Sequence, residues 1–230
     1  MQKAVLNPTP DQTFVLVGEG PYNFVKVLAH SRELQAAGQV EAACNERYQA
    51  FQRLAELLPD DEEINLEWSH HNSRAALELV HASAVDHFLI SDFELSAALL
   101  ELLLELDPED HLEGSELLAF DYLAMGEQEL FDEVINDVSD KEASRTLLLL
   151  WSAFRQEGRL PDGELKRFRE RFAPYYAEFR AGEHPADGDY LRDIESERPT
   201  AAAQARELWL KTENLWALWP AFIAALRAGR

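Results

Sequence analysis

Two Glu-x-x-His spacings are the most chemically suggestive feature of the chain: Glu67 with His70, and Glu78 with His81. On an α-helix this spacing turns a carboxylate and an imidazole to one face, the device by which carboxylate di-iron bundles gather ligands. Such bundles draw one motif from each of two helices. Here the apolar periodicity predicts a single helix over 64–90 carrying both motifs, and helix rise separates them by about 16 Å, too far to share a metal. Each would have to face glutamates of another helix. A helical metalloprotein or enzyme using Glu67, His70, Glu78 and His81 is therefore an alternative reading; the main expectation is a chain with no metal and no cofactor.

The remaining candidate nucleophiles carry less. Cys44 has no histidine beside it and Arg47 lies one helical turn away, so it reads as a small core residue. Ser115 follows Gly114 without the strand-turn-helix context of a nucleophile elbow. Gly18-Glu19-Gly20 follows the apolar run Thr13–Val17, yet it lacks a third glycine and a lysine, and Glu19 would repel a phosphate. It reads as a turn before a helix. Asp107 and Asp110 around His111 read as a helix stop and the next N-cap. No catalytic residue is assigned, and the chain is not expected to be an enzyme.

Two groups of side chains could bind a partner. Arg167 and Arg171, four apart beside Lys166, form a local cationic stripe. Trp209, Trp216 and Trp219, at spacings of seven and three, share one helix face, which suits core packing or a contact between copies. Arg167, Arg171, Trp216 and Trp219 are the partner-binding candidates.

The composition narrows the partners. A net charge of -22 over 230 residues argues against nucleic acid and against an anionic membrane surface, since both require a cationic face. The charge is also uneven. Between Asp86 and Glu142 eighteen acidic residues stand against Lys141 alone, whereas Arg145 to Arg180 carries eight basic residues against five acidic ones. A single cysteine excludes an internal disulfide and fits a reducing compartment. With no apolar stretch following Lys3, the expected location is the cytoplasm.

The elements that must position these groups are helices. Residues 1–21 form an expected extended leader, followed by one helical domain over 22–230. Phe24, Val27, Leu28 and Leu34 fall at helical spacing, and Gly38 turns the chain into a second helix ending at Pro59. The run SDFELSAALLELLLELDPED, Ser91 to Asp110, is apolar on nearly every side apart from a stripe of Glu94, Glu101 and Glu105. Such a helix must be covered by others. Further helices are predicted at His111–Met125, Glu129–Val138, Glu142–Gln156, Glu164–Arg180 with a kink at Pro174, Tyr190–Glu197, and Ala201–Ala228 bent at Pro220.

The run at Ser91 resembles the second helix of a tetratricopeptide repeat. Ser91 and Asp92 stand at the interhelical turn, Phe93 supplies the aromatic, Ser96 the small residue and Leu100 and Leu103 the core, and Pro108 closes the unit. Pro59 ends an earlier helix with similar grammar, 49 residues before Pro108 rather than the roughly 34 of a tandem array. Val80 and Ala84 occupy the family's tryptophan and glycine places. The resemblance implies an all-α fold, an α-solenoid of nine or ten helices in antiparallel hairpins, with repeat-like hairpins over 22–140 and divergent helices over 141–230 ending in an atypical cap. It also implies a non-enzymatic scaffold that binds a protein or peptide through a helix-lined surface. A structural homo-oligomer such as a homodimer, joined through the tryptophan-rich last helix, is a further alternative.

Overall fold

Alternating steps of four and three residues give the first helices one inward face each. The computed structural model describes residues 3–4, 6, 23–58 and 64–229; the strand expected at Thr13–Val17 and the turn at Gly18–Gly20 lie outside them. Helix α1 (Phe24–Ala36) opens on Asn23, whose side-chain oxygen accepts the Lys26 N–H at 3.0 Å, and buries Phe24, Leu28 and Ser31. Gly38, at φ 75°, makes the turn into α2 (Val40–Leu57). The buried face of α2 is Ala43, Arg47, Ala50, Leu54 and Leu57. An arginine thus sits in an otherwise apolar register.

The helix expected over 64–90 is shorter than that. Asn65–Leu66 forms a two-residue strand, β2, paired in parallel with β1 (Lys3–Ala4), and helix α3 runs from His71 to Leu89. Within the expected leader, Leu6 is buried against the start of α3. Periodicity alone cannot show a strand whose partner lies near the other end of the sequence.

Helix α4 (Phe93–Leu106) follows a turn in which Ser91 takes φ 65°. It buries Ser96, Ala97, Leu99, Leu100, Leu103 and Leu106, and leaves Glu94, Glu101 and Glu105 in solvent, as its pattern predicts. Small residues on both helices, among them Ala76, Ala84 and Ser96, let α3 and α4 lie close. Asp110 then accepts the Gly114 and Ser115 N–H groups at 2.6 and 3.1 Å and starts α5 (Gly114–Met125).

The chain divides into two compact units, residues 1–121 and 122–230. In the first, α1 packs on α2 and α3, α2 on α3, and α3 on α4. The second contains α6 (Gln128–Val134), α7 (Ala143–Glu157), α8 (Asp162–Arg171), α9 (Ala173–Arg180), α10 (Gly188–Ile194), α11 (Ala201–Leu218) and α12 (Pro220–Ala228). Helix α9 touches α8, α11 and α12, and α7 packs on α8. Trp151 lies at the heart of this unit with no exposed surface, edge-on to Trp216 and Trp219 at 5.3 Å from each.

The fold is all-helical apart from the β1–β2 pair. There are twelve helices among the described residues, against nine or ten expected. Two of the extra breaks fall at Phe172 and Trp219. There Pro174 and Pro220 occupy the first two positions of new helices, where a missing N–H costs nothing, and so divide the segments that the sequence predicts as kinked single helices. No helix among the described residues is long and apolar enough to cross a membrane.

Candidate functional site

A cleft of about 420 Å³ opens in the first unit between α1 and α3. One turn after another of α1 supplies Leu28, Ser31, Arg32 and Gln35 to one wall, and α3 supplies Glu78, His81 and Ala82 to the other. These are the i, i+3, i+4 positions by which a helix presents one face. Arg47 of α2 reaches the cleft from below, and Leu112, in the turn ahead of α5, closes one side.

The floor is an ion pair. Arg47 Nε and Nη2 donate to the two Asp86 carboxylate oxygens at 2.7 Å each, and its Nη1 donates to Gln35 Oε1 at 2.9 Å. Burial works against the guanidinium charge, but the bonds from Asp86 more than offset it and hold the pKa above the ordinary value. The rim carries a second pair: Arg32 Nη2 donates to Glu78 Oε2 across the cleft at 2.8 Å, and Arg74 lies 3.6 Å from Glu78 Oε1. Arg32 is well exposed, so this contact can open at little cost.

The structure separates the two Glu-x-x-His motifs. Glu67 and His70 lie ahead of α3 rather than on it; Glu67 Oε1 accepts from Ser69 Oγ at 2.8 Å, and His70 is the N-cap of α3, its Nδ1 accepting the Ser73 N–H at 3.4 Å. Burial and the adjacent His71 lower the His70 pKa, which suits a ring that must accept at Nδ1. Glu78 and His81 do share a face of α3, but it faces the cleft, and Glu78 is held by arginines. Among the described residues no group of three or more His, Cys, Asp and Glu side chains is placed to hold a metal ion.

Cys44 lies beside the floor pair, 3.6 Å from Arg47 Nη2. Burial, and then the Asp86 charge, raise its pKa and keep it a thiol. The candidates of the second unit are scattered by comparison. Arg167 donates to the Asp140 carbonyl at 3.3 Å, and the Arg171 guanidinium sits 5.2 Å from the centre of the Phe172 ring. Trp216 is 3% exposed and its indole N–H donates to Thr212 Oγ1 at 2.8 Å. Trp219, half-buried, lies with Trp151 under the Arg155 guanidinium. Trp216 and Trp219 are thus brought together on Trp151, in packing internal to the unit.

The cleft residues Ser31, Arg32 and Gln35, and the Asp86 that pairs with Arg47, do not stand out in the sequence. One signal was there to be followed: Arg47 falls in the apolar register of its helix, and a buried arginine demands a carboxylate from a neighbouring element. Comparison with protein-family models, curated proteins and solved structures finds no match to the chain.

Proposed function

We propose that the protein is a non-enzymatic interaction scaffold, tetratricopeptide-repeat-like in the hairpin grammar of its first unit, that receives a protein or peptide segment in the α1–α3 cleft. The observation that carries this reading is the cleft itself, whose two walls are regular helix faces that carry both apolar and charged side chains. Its rigid floor, Arg47 with Asp86, supports pre-organised binding, and its rim pair, Arg32 with Glu78, offers polar groups that can change partners. The protonated Cys44 thiol and the arginine-bound Glu78 favour binding over nucleophilic chemistry. A net charge of -22 favours a protein partner over nucleic acid, and the lone cysteine favours the cytoplasm.

Site-directed photo-crosslinking tests this. A photoreactive residue at Arg32 should trap a defined partner in cells, whereas one at Arg159, in the loop after α7, should not. Equal labelling from the two positions would remove the cleft from consideration.

A further inference from the structure

Three exposed arginines, Arg169, Arg180 and Arg227, stand in the last turns of α8, α9 and α12, and their bonds draw the three helix ends together. The Arg169 and Arg180 guanidinium carbons lie 5.3 and 5.1 Å from the centre of the Tyr176 ring, and Arg169 Nε donates to the Tyr176 hydroxyl at 3.0 Å. Arg227 joins them through a reciprocal clasp: Arg180 Nη2 donates to the Arg227 carbonyl at 3.0 Å, and Arg227 Nη2 donates to the Ala181 carbonyl. Arg169 Nη2 reaches the Gly229 carbonyl at 3.0 Å. Only glycine suits that place, because φ is 70° and a Cβ would collide with the guanidinium.

Among the described residues, no carboxylate lies within ion-pair distance of any of the three. Glu178, the acid of α9, is held by Arg206 and His184; Glu170 of α8 lies 4.0 Å from Lys166; α12 contains no acid. Capping the carbonyls of helix ends accounts for where these side chains sit. It does not account for their charge. The bonds occupy two of the five N–H groups of Arg169 and one each of Arg180 and Arg227, and a carbonyl dipole does not neutralise a cation. Like charges held this near raise one another's energy, which a bound anion relieves.

We propose that this cluster docks a short acidic segment of a partner protein, with one Asp or Glu carboxylate for each guanidinium. Arginine takes a carboxylate through two parallel N–H···O bonds, and Tyr176 holds Arg169 and Arg180 in place before the segment arrives, so little side-chain freedom is lost on binding. The site lies wholly within the second unit and owes nothing to the α1–α3 cleft. The rest of the chain limits the length of the ligand. A net charge of -22 repels an extended polyanion such as nucleic acid, while a segment no longer than the cluster stays on positive ground.

A fluorescent hexaglutamate peptide serves as the probe, read by anisotropy on the full chain. It should bind saturably where hexaglutamine does not, and raising the salt from about 0.05 M to about 0.3 M should weaken it severalfold. Arg169→Gln combined with Arg180→Gln removes two charges while leaving amide donors for the carbonyls. This double variant should weaken binding about tenfold or more, whereas Arg159→Glu, which changes the net charge equally in the loop after α7, should leave it near the wild-type value. Circular dichroism and a cooperative melt establish that the variants are folded. Should the double variant not fold, the wild-type chain decides by nuclear magnetic resonance: added peptide should shift the ring signals of Tyr176 and leave those of buried Tyr122 in place. No saturable binding, equal binding to the double variant and the Arg159→Glu chain, or unmoved Tyr176 signals would overturn the proposal. So would inorganic phosphate competing as well as the peptide, which would mean an adventitious ion only, or a single-stranded oligonucleotide binding more tightly. A concentration-dependent dimer abolished by the double variant would also overturn it, by assigning the cluster to a second copy of the chain.

Discussion

Arg47 and Asp86 meet in a two-pronged ion pair, with both bonds at 2.7 Å and the side chains 6% and 15% exposed. The pair ties α2 to α3 and closes the floor of the α1–α3 cleft, so stability and the shape of the candidate site rest on the same contact. Removing one partner strands a charge; replacing both need not. Asp86→Ala should cost roughly 3–5 kcal/mol in urea unfolding, while the double change Arg47→Met, Asp86→Leu should recover most of it. A double variant no more stable than Asp86→Ala would mean that the pair is not coupled as its geometry requires.

The rim pair behaves differently because it is wet. Arg32 is 65% exposed, and Arg32→Ala should move stability by no more than about 0.5 kcal/mol. A partner seated in the cleft should nonetheless feel the loss, so affinity and stability separate at this position. The comparison pairs urea unfolding with binding of the partner trapped by crosslinking.

Much of the first unit could be read ahead of the coordinates. The Glu94, Glu101, Glu105 stripe predicts the solvent side of α4 because one helix's orientation depends on its own periodicity. Gly38 marks the turn between α1 and α2, where φ is positive. What escaped was non-local. Residues 64–70 look helical until Lys3–Ala4 pairs with Asn65–Leu66, and His70 is not a residue type that announces an N-cap. The cleft is assembled from three helices and a turn, each contributing residues that are unremarkable alone. Arg47 was the exception, and its partner Asp86 lies 39 residues away, beyond the reach of any helical repeat.

Asp121 is a buried acid with one hydrogen bond. Ser96 Oγ donates to its Oδ2 at 2.7 Å, while Oδ1 is buried with no partner among the described residues. Burial drives its pKa from 3.8 up to about 8, with the Ser96 bond opposing and the Asp92 charge adding. The folded state therefore holds a proton that the unfolded state releases. The stability this permits is complete below pH 3.8, declines as pH rises, and is fully lost past about 8. Asp121→Asn keeps the neutral form. It should stabilise the protein by about 1–3 kcal/mol at pH 8 and by much less at pH 5 in urea titrations. A gain that does not grow with pH would contradict the protonated state.

Glu178 shows the opposite sign. It is buried on α9, accepts from Arg206 Nε and Nη2 and from His184 Nδ1 at 2.6 Å, and so anchors the loop between α9 and α10. His184 in turn stacks on Trp209, with ring centres 3.7 Å apart. Burial pushes the Glu178 pKa up, but the bonds from Arg206 and His184 outweigh it and hold the carboxyl below its usual value of 4.5. Its contribution is present above the unfolded pKa and disappears as pH falls through the lower folded one. Glu178→Gln should lose roughly 1.5–3 kcal/mol at pH 7, and the deficit should narrow below pH 4. A deficit of constant size across that range would place the loss in packing instead of charge.

Trp216 separates a core role from a partner role. It is 3% exposed, packs edge-on to Trp151 and Phe179, and has its indole N–H bonded to Thr212. Truncating so large a buried ring leaves a cavity, so Trp216→Ala should cost about 3–5 kcal/mol. Thr212→Val, which removes the acceptor of the indole N–H together with the hydroxyl's own bond to the Leu208 carbonyl, should cost about 1–3 kcal/mol. Both losses should appear in urea unfolding at micromolar protein, with light scattering giving the same mass for wild type and variants. If Trp216 instead joined two chains, Trp216→Ala would halve the mass and leave the unfolding of the separated chain nearly unchanged. The edge-on contact with Trp151 favours the first outcome, because a ring already enclosed within its own unit has little surface left to offer another.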